Sequence, residues 1–268
     1  MRILFVADIF AHPGRRAAAE LIPRLIQQHQ VDFCIANGEN AAGGFGLTPN
    51  IARKLRAYGA DAITTGNHVW DRPELAEFLD AEEWILRPLN YPPGAPGRGS
   101  ALFSSRDGVS VGVVNLQGRT HMASSDCPFR GGRAAVEQLR RETPIVFVDF
   151  HAEATAEKVA MGWHLDGLAS AVIGTHTHVQ TADERILPEG TAYLTDAGMT
   201  GPHDSVIGIR SHIAIQRFID QVPLRFKPAS AGVKLCGVLV DVDEASGRAS
   251  RIERLQVAAD FEVGDGED

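Results

Sequence analysis

Short apolar runs alternate along this chain with longer stretches of helical periodicity, a pattern that predicts a layered α/β fold. Arg2 to Ala7 reads as a first strand. Pro13 opens a helical stretch reaching about Gln28, with a kink expected at Pro23, because proline suits a first turn and disrupts a helix further in. Asp32 to Ala36 is a second strand. A glycine-rich loop leads from it to Thr48-Pro49, an N-cap followed by a first-turn proline. A strand over 60–64 and a helix near 72–80 complete a third unit.

The middle of the chain reads differently. Arg87 to Gly99 is rich in proline and glycine and is expected to be a loop. Residues 101–103 and 109–115 look like paired strands about Asp107-Gly108, a strong turn dipeptide. Pro144 to Phe150 is a near-continuous apolar run, as in a strand buried on both faces. Further strands are expected at 169–173, 191–195, 233–242 and 250–257, the last two joined by a turn at Ala245-Ser246-Gly247-Arg248. Residues 260–268 are acidic and read as a frayed tail. No repeat or linker interrupts the pattern, so residues 1–268 are expected to form a single domain.

Composition narrows the class. With 268 residues, 44% of them hydrophobic, the chain can bury a substantial core without staples. No stretch approaches a membrane span, and Asp8 interrupts the first strand too soon for a signal peptide. Three widely spaced cysteines, Cys34, Cys127 and Cys236, suggest free, buried thiols in a reducing compartment, hence the cytoplasm. A formal net charge of −8 argues against a protein that tracks a nucleic-acid backbone. A small anionic substrate remains compatible where metal ions supply the local positive charge.

The candidate chemistry sits where strands end, the place at which parallel sheets present functional groups. Asp8 closes the first strand, and Asn37-Gly38-Glu39-Asn40 follows the second. Asn67-His68 follows the third, Asp149 and His151 bracket the end of the buried run, and His176 and His178 come after the next. Each alone reads as a cap or a solvated loop residue; together they read as one cleft. Converging carboxylates repel unless a cation lies between them. Glu39, with two oxygens, is best placed to bridge a metal pair. Asn40 and Asn67 offer carbonyl oxygens and the histidines offer imidazole nitrogens, a donor set that suits transition metals without any thiolate. His68 neighbours a ligand without being needed as one, which makes it the candidate general acid. Asp149, inside its strand, reads as support for the ligands rather than as one of them. Gly43-Gly44-Phe45-Gly46 lacks the spacing of a phosphate-binding loop; it would permit tight backbone near the metals, with Phe45 lining the substrate pocket. His12, His29, His121, His164, His203 and His212 are assigned no role.

These segments resemble the calcineurin-like metallophosphoesterases, whose blocks run Asp-x-His, Gly-Asp, Gly-Asn-His, His and Gly-His-x-His. The resemblance is closer to the bacterial YmdB-like branch. It is carried by Asn37 to Gly46, Thr65 to Asp71, Asp149 to Thr155, Gly174 to Asp183 and Asp196 to Pro202. Two departures from the wider superfamily favour that branch: Phe10 stands where a histidine is usual, and the bridging aspartate is Glu39. The acidic residue often found after Gly-Asn-His is Val69, so any carboxylate partner of His68 must come from elsewhere.

The resemblance implies a four-layer α/β sandwich, two mixed β-sheets packed face to face with helices outside. It implies two transition-metal ions, iron foremost, with manganese or zinc as alternatives. Asp8, Asn40 and His178 would hold one ion, Asn67, His151 and His176 the other, and Glu39 would bridge. The implied activity is a phosphodiesterase hydrolysing cyclic nucleotides, 2′,3′-cyclic and by extension 3′,5′-cyclic, through a metal-bridging hydroxide with His68 as acid. The alternatives are a phosphomonoesterase on the same site, or a metal-binding regulatory scaffold. The expected partner is a small phosphoester, with neither stably bound nucleic acid nor membrane, and the expected assembly is a homo-oligomer.

Overall fold

The structure, a computed structural model, describes residues 1–261. Its first half runs β1 (Arg2–Val6), α1 (Ala11–His29), β2 (Phe33–Asn37), α2 (Pro49–Ala57), β3 (Ala62–Thr64), α3 (Leu75–Ala81), β4 (Ile85–Leu86), β5 (Ser100–Ser104) and β6 (Ser110–Gln117). The second half runs α4 (Pro128–Leu139), β7 (Val146–His151), α5 (Thr155–His164), β8 (Ala171–Thr175), β9 (Arg185–Ile186) and β10 (Ala192–Leu194). It closes with β11 (Gly201–Pro202), α6 (Ser211–Asp220), β12 (Val233–Val242) and β13 (Ala249–Ala258).

Two sheets result. In the first, β1 to β4 lie side by side and parallel, and β12 pairs antiparallel with β1, β11 and β13. In the second the order is β5-β6-β7-β8-β10-β9, with β6, β7, β8 and β10 parallel between antiparallel edge strands.

The period-two alternation of side chains explains how the sheets stack. Ile3 and Phe5 of β1, Phe147 of β7, Ile173 of β8 and Val238 of β12 all enter one core between the sheets. Their neighbours turn the other way. Leu4 and Val6 meet Leu21 and Ile22 of α1, Leu55 of α2 and Leu79 of α3; Val146, Val148 and Phe150 meet Val136 of α4 and Met161 of α5. Both faces of each sheet are therefore covered, which is why the central strands read as continuous apolar runs. The architecture is the expected four-layer α/β sandwich. α6 stands apart, packing Ala214 near Phe10 and Met199.

Local signals hold up where their chemistry is unambiguous. Thr48 accepts a hydrogen bond from the Ile51 amide at 3.3 Å, with Pro49 in the first turn of α2. The turn at Asp107-Gly108 joins β5 and β6 with Gly108 at φ +82°. α1 begins two residues earlier than expected, at Ala11, and Pro13 falls in its first turn, where a missing N–H costs nothing. α1 also continues through Pro23 as one helix.

Other expectations are corrected. α4, α5 and α6 carry no clear sequence signal: Gly131-Gly132 and Gly162 depress the intrinsic preference of the first two. The two-residue strands β4, β9 and β11 are too short to show any period. Cys127 is half-exposed at the start of α4, whereas Cys34 and Cys236 are buried. The tail does not begin at 260, because Asp260 pairs with Arg24 at 3.5 Å and the Arg16 guanidinium lies 4.1 Å from the Phe261 ring centre; the rest of that tail lies outside the described residues.

Candidate metal centre

The carboxyl ends of β1, β2 and β3 in one sheet and of β7 and β8 in the other meet along one rim of the sandwich. The loop after β1 is pinned by backbone bonds from Ile9 to Asn37, Phe10 to Thr200 and Ala11 to Asn40, each 2.9 Å. They hold Asp8, fully buried, at φ +21°. His176 and His178 also lie at positive φ, +98° and +64°. Backbone strain of this kind persists only where the surroundings impose it, and it clusters at functional sites.

Three imidazoles are oriented from behind. The Thr175 hydroxyl donates to Asp149 Oδ1 at 2.8 Å, so its oxygen accepts from His151 Nδ1 at 2.9 Å. That leaves His151 Nε2 as a bare lone pair. His176 turns Nε2 toward Glu153, 3.2 Å away, and Nδ1 toward His151 Nε2 at 3.0 Å. His178 donates Nδ1–H to the Ile207 carbonyl at 3.0 Å and faces Asp8 Oδ2 through Nε2 at 3.1 Å. Between the last two histidines, Thr177 is tied through its amide and hydroxyl to Asp196, whose charge is balanced by the buried Lys158 ammonium at 2.6 Å.

His151 Nε2 consequently faces Asn67 Oδ1 at 3.0 Å, Glu39 Oε1 at 3.0 Å and His176 Nδ1. These are acceptors facing acceptors. Neither oxygen of the fully buried Glu39 has a hydrogen-bond partner, although a buried carboxylate left bare costs several kcal/mol, roughly. Atoms of Glu39, His151 and His176 lie within 4.8 Å of one another, a spacing that a single ion could span. On the other side of Glu39, Asn40 Nδ2 approaches Asp8 Oδ1 at 2.7 Å and His178 Nε2 at 3.2 Å.

The electrostatics describe a centre short of positive charge. Burial, with the Asp8 charge beside it, pushes Glu39 up to about 8. Burial would raise Asp8 as well, but the His178 imidazole holds it down at about 2. Conversely, Asp8 overcomes burial to push His178 up to about 9. Burial lowers His151 to about 4, and burial together with His151 lowers His176 to about 3, so both stay neutral near pH 7 with lone pairs available. Gly66 is required here, because a Cβ at that position would collide with Glu39 Oε2 and His151. The residues present fit a pair of cations: both Glu39 oxygens and Asp8 Oδ2 lack a hydrogen-bond donor, and imidazole nitrogens are aimed at them.

His68 sits beside this cluster, its side chain 29% exposed. Its Nδ1 lies 2.8 Å from Asp71 Oδ2, in the tight turn that follows Asn67. Asp71, three residues on, is thus the carboxylate partner that Val69 does not supply. Phe45 meets the His68 ring edge-on at 5.1 Å, and Phe10 meets His178 in the same way at 5.7 Å. Asp149 is taken up by hydrogen bonds: it accepts from Asn37 at 2.8 Å, from Thr64 at 2.5 Å and from Thr175. Sequence reasoning did not reach Thr175, Glu153, the Ile207 carbonyl or Asp196-Lys158 as supports, because each contact is long-range.

The fold and this cluster define a phosphoesterase of the metallophosphoesterase superfamily. More narrowly, residues 4–255 match the YmdB-like protein family, and the chain belongs to it. Among its curated relatives is a Bacillus subtilis protein named 2′,3′-cyclic-nucleotide 2′-phosphodiesterase. It is 48% identical over 260 residues, which is 97% of this chain and 98% of that one. A Mycoplasma genitalium protein named as a putative phosphatase/phosphodiesterase is 34% identical over 98% of this chain and 95% of its own length. A crystal structure described as a novel phosphatase from Mycoplasma pneumoniae superposes with a TM-score of 0.90 at 32% identity, over 96% of this chain and 93% of that one. A Thermus thermophilus protein of unassigned function gives 0.88 at 41% identity, over 96% and 99%. No helix among the described residues is long and apolar enough to cross a membrane.

Proposed function

We propose that this chain is a dinuclear metal-dependent phosphodiesterase acting on cyclic nucleotides, with the 2′,3′-cyclic class as its principal substrate. The observation that carries the reading is the buried cluster of acceptors around Glu39 with no donor to satisfy it. Glu39, Asn67, His151 and His176 would hold one cation. Asp8, Asn40 and His178 would share Glu39 with the second, Asn40 turning its amide half a turn to offer Oδ1. When bound, such cations acidify a water and neutralise charge on phosphate oxygens; the donor set suits iron, manganese or zinc.

The chain's own residues then do the following. Thr175, Glu153 and the Ile207 carbonyl fix which ring nitrogen each histidine presents. The 48% identical relative is named for 2′,3′-cyclic substrates, and in such a diester the leaving group is a ribose oxygen, a poor one without a proton. His68 stands at the exposed edge of the cluster, and Asp71 Oδ2 orients its Nδ1–H, leaving Nε2 to deliver a proton to that oxygen. Phe45 lines the approach beside it.

The direct test compares steady-state rates on a 2′,3′-cyclic nucleotide, a 3′,5′-cyclic nucleotide and a nucleoside monophosphate, with metal content measured on the same preparation. Preference for the cyclic diester supports the reading. Preference for the monoester would make the protein a phosphomonoesterase, and a metal-free, inactive protein would make it a scaffold.

A further inference from the structure

The loop from Ala42 to Gly46 is held down by a residue outside the cluster. Arg72 Nε donates to the Phe45 carbonyl at 3.1 Å and Nη2 donates to the Ala42 carbonyl at 2.5 Å, so one planar guanidinium grips both arms of the loop. The loop also closes on itself, with the Ala42 amide bonded to the Gly46 carbonyl at 2.9 Å. Gly46 lies at φ +74°, and a Cβ there would stand 2.8 Å from Arg72 Cγ and 3.2 Å from the His68 carbonyl. Phe45 is thereby carried to the tip, 36% exposed, with its ring edge-on to His68. Asp71, adjacent to Arg72, holds His68 itself.

We infer that Arg72 is a positioning residue for substrate recognition: it clamps the 42–46 loop so that Phe45 forms, beside His68, the platform on which the nucleobase stacks. The inference rests on the cyclic-nucleotide reading above and adds which part of the substrate is read. The group that protonates the ribose oxygen and the ring that receives the base are fixed by consecutive residues of one turn, Asp71 and Arg72. A nucleotide is then recognised by its base as well as its phosphate. Any base presents a π-face, so the platform is tolerant of base identity.

The test uses the metal-loaded protein and two diesters: a 2′,3′-cyclic nucleotide and the 2′,3′-cyclic phosphate of methyl riboside, which lacks a base. Arg72→Gln should raise KM for the nucleotide about tenfold, in the range of one lost base–aromatic stack. It should leave kcat within about twofold and leave KM for the base-free diester unchanged. Phe45→Ala should give the same split, and the double variant should add nothing beyond either single change. Arg72→Lys, which keeps the charge and loses the fork, should fall between wild type and Arg72→Gln; it also serves if the glutamine variant does not fold. Equal losses on both diesters, or full additivity with Phe45→Ala, would overturn the inference while leaving the parent reading intact. A wild-type chain that hydrolyses only monoesters would overturn the parent reading and this inference with it.

Discussion

The two sheets bring different chemistry to the shared rim. The first delivers oxygen: Asp8, Glu39 and Asn67, each on the loop just past its strand and two of them fully buried. The second delivers nitrogen, from His151, His176 and His178, and each imidazole has its far side engaged by Thr175, Glu153 or the Ile207 carbonyl. The oxygen side is positioned mostly by backbone, through the bonds of residues 9 to 11 and the close approach at Gly66. The nitrogen side is positioned by side chains that must also select a tautomer. An oxygen donor works from either lone pair, whereas a ring nitrogen works only if its partner takes the other proton. Histidine ligands therefore need a larger supporting cast.

The largest effect should come from the oxygen side. Glu39→Gln removes the carboxylate proposed to be shared, so metal content by plasma emission should fall for both ions and turnover should be lost. The metal-free protein should meanwhile melt no lower than wild type at neutral pH, because burial already holds Glu39 at about 8 and so mostly uncharged, as the glutamine is. Retention of both ions would break the comparison. Next comes His68, the proposed acid, which belongs to neither set: His68→Ala should cut kcat on a cyclic nucleotide by roughly 10² to 10⁴ with metal content unchanged.

On the nitrogen side, Lys158→Met leaves Asp196 buried without its counter-ion and should cost about 3–5 kcal/mol in denaturant unfolding. A smaller loss would mean that Thr177 alone holds the loop. Thr175→Val frees His151 to choose the wrong tautomer and should weaken metal binding by about 10–100-fold, read by competition with a chelator. The smallest effect lies at the opposite end of β1, where the Arg2 guanidinium holds the Asp241 carboxyl below its ordinary value at 2.6 Å. That contribution is present above the ordinary carboxylate value and lost as pH falls through the depressed one. Asp241→Asn should therefore remove less than about 1 kcal/mol at neutral pH, and nothing in strong acid.

The candidate ligands were readable in the sequence because each lies within a few residues of a recognisable strand end, and because acidic and imidazole groups rarely cluster there without purpose. The oxygen side needed only that placement. Of the supports of the nitrogen side only Asp149 was readable, from its place inside a strand beside His151. Thr175 looks like an ordinary strand residue, Ile207 acts through its carbonyl, and Lys158 meets Asp196 across 38 positions of chain. Asp71 was missed for a different reason: the turn that brings it back to His68 places the carboxylate three residues on instead of one. The sandwich itself came through family likeness, since apolar alternation shows that a strand is covered on two sides without revealing by what. α4 and α6 escaped notice although both are amphipathic and α4 opens with Pro128 in its first turn.

Asp149 lies beneath all of this, fastened to Asn37 and Thr64 from one sheet and to Thr175 from the other. One carboxylate thus works as a keystone for both halves of the sandwich. Neither sheet can slip by a residue along its strands without breaking this joint, so the spacing between the oxygen-bearing and nitrogen-bearing loops is inherited from the packing of the fold and is already set before any ion arrives.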